Sequence, residues 1–326
     1  MPFLGVIFHY FLIAAILFIA MLLYFRIADK FNIIDKPNER SSHTAVTIRG
    51  GGVVFWLAAL LYLLTCDADN WAFFVGITLI AAVSFWDDIS SLSNKLRIVI
   101  HFVAISLVFY NLELYQNLPW WQLLMAYVFF VGTLNAYNFM DGINGITGLY
   151  SLVVLAGLQY VNWEVIAFVN PDLITYPMLT CLVFLYFNAR KRAKCFAGDV
   201  GSMTIALWIV TLLLILMVTT GSVLWILFLL VYGVDTVCTI LHRLYLRQNI
   251  FKAHRLHFYQ VLANERKMAH VKVSATYALL QALICALTVY VYITGVMSDV
   301  LILLLVGFPL ILIYLLKFRR YKKHNT

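Results

Sequence analysis

Along most of the chain, runs of about 20 apolar residues alternate with short polar breaks, the length at which a helix crosses a hydrocarbon core of roughly 30 Å. Eleven candidate spans follow: 3–25, 50–66, 71–86, 98–113, 120–139, 145–163, 174–189, 200–219, 222–241, 273–296 and 299–316. The pattern predicts an all-α polytopic membrane helix bundle of about eleven transmembrane helices. No Pro/Gly/Ser-rich linker and no repeat interrupts it, so residues 1–326 read as a single integral membrane domain. The first run has no basic residues ahead of it and no clear small-residue cleavage site after it, which predicts a retained span rather than a signal peptide.

The polar breaks are unequal. All 23 Lys and Arg residues fall in segments that one threading places on a single side: Arg26 to Arg49, Lys95 to Arg97, Arg190 to Lys194, Arg243 to Lys272 and Lys317 to Lys323. The other side holds Asp67, Asp69, Glu113, Glu164, Asp172 and Asp299. Basic residues beside span ends stay cytoplasmic, so the N-terminus is expected outside, the C-terminus in the cytoplasm, and the long polar loops on the cytoplasmic face of the membrane.

Composition agrees: 63% of residues are hydrophobic and 12% charged, against roughly a quarter charged in soluble domains. The net charge of +8 lies in short loops rather than in a separate polar domain, which argues against nucleic acid and for membrane lipid headgroups and anionic substrates. The five cysteines show no CxxC spacing, and four lie in or beside apolar runs, where cysteine acts as a small buried hydrophobe.

Five inner segments carry candidate chemistry. In DKPNERSSHTAVTIRGGG, Arg40, His43 and Arg49 lead into Gly50, Gly51 and Gly52 at a span's start. Such glycines can bring backbone N–H groups to a phosphate at a helix N-terminus, and equally can be flexible loop residues. In SFWDDISSLSNKLR, Asp87 and Asp88 are adjacent at the membrane boundary. Two charges about 4 Å apart repel by roughly 4 kcal/mol at an effective dielectric of 20, so a cation, a shared proton or nearby Lys95 and Arg97 must offset them.

In NAYNFMDGINGITG, Asn138 and Asp141 are three apart and could share a helix face, while the glycines suit a tight turn. In FAGDVGS, Asp199 opens a span, as a helix cap or as a metal ligand. Few carboxylates plus substrate phosphates are what magnesium uses. In HRLYLRQNIFKAHRLHFYQ, His254 and His257 would share a face of an amphipathic surface helix. Asp235, inside a span, is either functional or paired with Arg243 or a neighbouring helix's donor.

Taken in order, DxPxxRxxH and RGGG, FWDD and KLR, NxxNFMDGINGI, FAGDVGS and AHRLHFYQ resemble the polyprenyl-phosphate N-acetylhexosamine-1-phosphate transferases, over most of the chain. The resemblance implies transfer of a sugar 1-phosphate from a UDP-N-acetylhexosamine to undecaprenyl phosphate, with release of UMP. It implies Mg2+, with Mn2+ able to substitute, and leaves a homodimer open. By carry-over, Asp199 is the leading metal ligand, Asp87 and Asp88 organise cation and lipid phosphate, and base action by Asp88 is the lesser option. Asn138 and Asp141 match the turn that helps hold the nucleotide and the metal shell, and Asn144 of the same turn is a further substrate-binding candidate. His254, Arg255 and His257 match the basic loop that clamps the pyrophosphate or reads the sugar, and Arg40, His43 and Arg49 match the first loop near the lipid phosphate.

Three departures stand out. Asn144 replaces the second acid of the usual DGxDG turn; Val46 and Ile48 stand where prolines are common, predicting a looser loop; and HRLHFYQ lacks the triple histidine of the peptidoglycan branch. The last feature points to the surface-polysaccharide branch, including O-antigen initiation, whose donors include N-acetylglucosamine and 6-deoxy relatives. A multi-span transporter is the rival reading, which Asp235 and the broken polar turns also suit. A prenyltransferase would carry an NDxxDxxxD run, and the sequence has none.

Overall fold

The computed structural model describes residues 3–37, 45–249 and 254–322, so the predicted Arg40 and His43 lie outside the described residues. The described chain is nearly all helix, in the order α1 (Phe3–Phe31), α2 (Val53–Thr65), α3 (Trp71–Ile89), α4 (Asn94–Asn111), the short α5 (Leu114–Asn117), α6 (Trp120–Met140) and α7 (Ile146–Glu164). Then follow α8 (Asp172–Asn188), α9 (Gly198–Thr220), α10 (Leu230–Tyr245), the single turn α11 (Phe258–Gln260), α12 (His270–Thr294) and α13 (Asp299–Lys322).

Each of the eleven predicted runs falls on helix, but their ability to span differs. Among the described residues, seven stretches are long and apolar enough to cross a membrane: Leu4–Phe31, Ala68–Ile89, Trp120–Met140, Gly198–Thr220, Val223–Tyr245, His270–Thr294 and Asp299–Leu316. Helices α2 and α8 are apolar but shorter. Helices α4 and α7 fall outside both groups: α4 carries Lys95, Arg97 and His101 in its first turns, and α7 buries Gln159 and Asn162 against its neighbours. By length and composition the bundle is a multi-pass membrane protein, with seven candidate spans among the described residues where eleven were expected.

The fold is also not purely helical. Ile34–Asp35 pairs antiparallel with Thr47–Ile48, and Ile48 bridges in parallel to Cys195. Ile48 accepts the Phe196 N–H at 2.8 Å, and Arg49 donates its N–H to Ile33 at 3.2 Å. Ile48, standing where proline is common, forms the second strand with Thr47, a pairing that β-branched residues favour, while residues 38–44 of the loop expected to be loose lie outside the described residues.

Helix α9 is the axis of the bundle. It is apolar on every face and almost wholly buried, as such a helix must be, and it packs against α2, α3 and α6. Its hydroxyls do not need outside partners, since Thr204 and Thr211 donate to the carbonyls of Val200 and Leu207 one turn back at 2.5 and 2.7 Å. Against lipid, helices are held by close packing and internal polar contacts rather than by hydrophobic gain. Gly52 and Gly201 supply the closest approach, where a Cβ on either would meet the other's backbone. Between α7, α10 and α12, buried Gln281 accepts from Tyr150 Oη at 2.7 Å and donates to the Leu227 carbonyl at 2.8 Å.

Candidate active site

One end of α9 gathers the charged residues. Helix α9 begins at Gly198, whose φ of +72° is the left-handed conformation that glycine adopts without strain. The first N–H groups of a helix need partners from elsewhere. Here Asp88, from the last turn of α3, accepts the N–H of Asp199 at 3.0 Å and of Val200 at 3.1 Å. A Cβ at residue 198 would collide with that carboxylate. The side chain of Asp88 is wholly buried and is neutralised by Arg49 Nε at 2.7 Å.

Arg49 is itself held in place, because its carbonyl accepts the Tyr24 hydroxyl at 2.6 Å. It also lies 3.7 Å from Asp199. From the other side, Arg97 of α4 binds Asp87 at 2.7 Å and approaches Asp199 at 3.4 Å. Asp87 further accepts the Leu92 N–H at 2.7 Å, which fixes the turn between α3 and α4. Asn138, in the last turn of α6, reaches the Asp199 carboxylate as well. The predicted Asp87, Asp88, Asp199, Arg49 and Asn138 therefore meet, carried by four separate segments. Arg97 completes the set; its place ten residues after Asp87, across a short turn, was the available signal.

Three carboxylates share two guanidinium groups, leaving one negative charge in excess. Among them Asp199 has the longest ion-pair contacts, while the oxygens of Asp87 and Asp88 are committed to backbone N–H groups and short arginine contacts. An all-oxygen donor set with surplus negative charge suits Mg2+, which needs one or two carboxylates and takes the rest from phosphates and water. Asp199 is the carboxylate that fits this role best.

Asp141 caps the end of α6, and Thr147 donates to it at 2.6 Å. Burial pushes its carboxyl up to about 7, with Thr147 opposing, Asp199 adding to the rise and Arg49 opposing it. Asn144 is buried against a different partner: its side-chain amide donates to the Arg190 carbonyl at 2.7 Å, and its backbone carbonyl accepts Ser274 Oγ at 2.8 Å. These contacts tie the turn to α12 and to the segment after α8. Asn135 likewise spends its amide on the Val131 carbonyl of its own helix.

Two expectations are corrected here. Two of the glycines ahead of α2 do not present free N–H groups, since those of Gly51 and Gly52 donate to the carbonyls of Phe196 and Ala197 at 2.9 and 3.0 Å. Their smallness serves packing on residues 195–201. His254 and His257 do not lie on one face of a surface helix: residues 254–257 are extended or bent, and His257 caps the short α11. Their rings are nevertheless neighbours, with centroids 4.9 Å apart, and both pack on Phe139. Tyr259 donates to the Phe139 carbonyl at 2.9 Å, so the histidine loop with Arg255 is docked beside the Asn138–Asp141 turn.

His257 Nδ1 lies 3.3 Å from Asp235, whereas its buried Nε2 has no hydrogen-bond partner among the described residues. Asp235, which sequence reasoning left undecided, accepts from a neighbouring helix through Tyr277 at 2.7 Å and from the backbone of Phe258 and Tyr259.

A helical membrane protein that concentrates acids, arginines and histidines at one end of its helices has the equipment of an enzyme acting on phosphorylated substrates. Residues 70–217 match glycosyl transferase family 4. The chain is 26% identical over 193 residues to the probable undecaprenyl-phosphate N-acetylglucosaminyl 1-phosphate transferase of Bacillus subtilis (strain 168), covering 55% of this chain and 54% of that protein. It is also 26% identical over 227 residues to the undecaprenyl-phosphate alpha-N-acetylglucosaminyl 1-phosphate transferase of Escherichia coli O157:H7, covering 62% and 61%. To the phospho-N-acetylmuramoyl-pentapeptide-transferase of Thermotoga maritima it is 26% identical over 255 residues, covering 72% and 82%. The chain thus spans between half and two thirds of the Bacillus and Escherichia relatives. On these matches the chain is similar to the polyprenyl-phosphate hexosamine-1-phosphate transferases.

Proposed function

We propose that the protein transfers an N-acetylhexosamine 1-phosphate from a UDP-sugar to undecaprenyl phosphate, releasing UMP and starting a lipid-linked surface polysaccharide such as O-antigen. The active site faces the cytoplasm from the inner membrane. The observation that carries this reading is the arginine-bridged set of Asp87, Asp88 and Asp199 at the start of α9.

An oxygen of the lipid phosphate attacks the sugar-linked phosphorus of the donor. A new P–O bond forms, the P–O bond to the nucleotide phosphate breaks, and its electron pair leaves with UMP. A phosphate monoester is largely ionised near neutral pH, so no side chain has to remove a proton from it. The work is positioning and charge stabilisation. Arg49 and Arg97 face the negative oxygens, and Asp88 fixes both Arg49 and the start of α9. Asp199 would hold Mg2+, which when bound neutralises phosphate charge and aligns the two reactants. His254, Arg255 and His257 would clamp a pyrophosphate or sugar, with the Nε2 of His257, which has no hydrogen-bond partner among the described residues, able to bind an oxygen.

The test is UMP release by purified protein with Mg2+, undecaprenyl phosphate and a panel that includes UDP-N-acetylglucosamine, its 6-deoxy relatives and UDP-N-acetylmuramoyl-pentapeptide. Turnover with an N-acetylhexosamine donor, lost on removal of Mg2+, is expected. Turnover with the muramoyl donor alone would move the chain to the other branch, and no UMP from any donor would reject the reading.

A further inference from the structure

The opposite end of α2 carries a second cluster of unlike ligands. His9 of α1, Cys66 at the end of α2 and Asp172 at the start of α8 each offer one atom, and the three atoms lie within 4.8 Å of one another. The residues are far apart in sequence and come from three separate helices, so packing has brought them together. All three are half-buried. Helix α2 has 13 residues, which at 1.5 Å per residue puts this cluster about 20 Å from Arg49 and the acid-arginine site.

We propose that His9, Cys66 and Asp172 form a binding site for a borderline-soft divalent ion of the zinc class, separate from the transferase site. A thiolate, an imidazole and a carboxylate together disfavour magnesium and calcium, which take oxygen ligands, and favour zinc. Tetrahedral Zn–S and Zn–O distances of about 2.3 and 2.0 Å put sulfur and oxygen about 3.5 Å apart. Cys66 Sγ and Asp172 Oδ2 are separated by 3.5 Å.

The surroundings have the form of a ligand shell. Tyr10 donates to Asp172 Oδ1 at 2.6 Å, which orients the carboxylate and leaves Oδ2 facing the thiol. Tyr176 Oη lies 2.9 Å from His9 Nε2, 3.4 Å from Cys66 Sγ and 2.7 Å from Thr65 Oγ1, beside the fourth corner of such a site. Binding forms an S–metal bond and releases the Cys66 thiol proton to solvent, and no oxidant or reductant is involved. The ion would clamp α1, α2 and α8 together.

The experiment uses the full chain, purified in detergent and stripped with a chelator, then titrated with Co2+ as a spectroscopic stand-in for Zn2+. The expected result is one Co2+ per chain, with tetrahedral visible bands and a thiolate-to-cobalt charge-transfer band that Zn2+ abolishes. In Cys66→Ser the charge-transfer band disappears, while UMP release stays at the wild-type rate. Tyr10→Phe, which keeps all three ligands, weakens binding by about 10- to 100-fold. No Co2+ bound by the wild type, or Co2+ bound without the charge-transfer band, overturns the proposal without touching the transferase reading.

Discussion

Asp235, inside α10, accepts the backbone N–H of Phe258 at 2.8 Å and so fixes where α11 begins. It does for the histidine loop what Asp88 does for α9: a carboxylate from one helix caps the start of another. The same oxygens meet the Tyr259 N–H at 3.3 Å, His257 Nδ1 at 3.3 Å and the Tyr277 hydroxyl at 2.7 Å. Asp235→Ala strands these buried donors, at about 1–3 kcal/mol for each left unsatisfied. Amide exchange across residues 254–260 should accelerate in this variant while peptides of α9 keep their protection, and KM for the donor should rise. Unchanged exchange in that loop would reject the capping role.

Asp88 and Asp199 are neighbours with separable jobs. Asp88 holds two backbone N–H groups and a short arginine contact, whereas Asp199 has longer arginine contacts and the Asn138 side chain. Asp88→Asn loses hydrogen bonds to a charged acceptor, worth about 1.5–3 kcal/mol each, and should lower both thermal stability and turnover. Asp199→Asn should abolish turnover and leave the melting temperature near that of the wild type. Equal melting losses in the two variants would mean that Asp199 is structural too.

How much of this was legible in the sequence depends on the range of the interaction. The helical runs were readable because each carries its own apolar length, and the five polar motifs because they interrupt those runs. What the motifs bind was not readable. Asp88 meets the N–H of a residue 111 positions away, and the N–H groups of Gly51 and Gly52 are taken by the segment before α9, relations set only by how helices pack. The histidine pair was found with the wrong local structure, since its proximity comes from docking on Phe139 and capping by Asp235 rather than from helical spacing. Cys66 read as a small hydrophobe because its partners lie on other helices.

The crossing of α2 and α9 gives a steric test. A Cβ at Gly52 would fall inside van der Waals contact with Gly201 and the Ala197 carbonyl. Gly52→Ala must therefore push the two helices apart, and overpacking of this kind costs about 1–3 kcal/mol. Because Arg49 sits three residues earlier and Asp199 two residues before Gly201, the shift also disturbs their spacing. The variant should melt lower and lose most of its turnover, while Gly132→Ala, where a Cβ meets nothing within 4 Å, should behave as wild type. Full activity in Gly52→Ala would show that the two helices are free to separate.

Asp141 gives a prediction in pH. Its carboxyl is pushed from the ordinary 3.8 up to about 7, first by burial. At pH below 3.8 it is protonated both folded and unfolded and contributes nothing. Between 3.8 and about 7 the unfolded chain releases the proton while the folded chain keeps it, so this group lowers stability progressively as pH rises. Above about 7 both forms are ionised, and the whole cost of burying the charge is present. Asp141→Asn removes that cost, so its melting temperature relative to wild type should climb through this window and level off above it. A melting difference that stays flat with pH would show that Asp141 is ionised at no cost in the folded protein, and would place a permanent positive charge beside it.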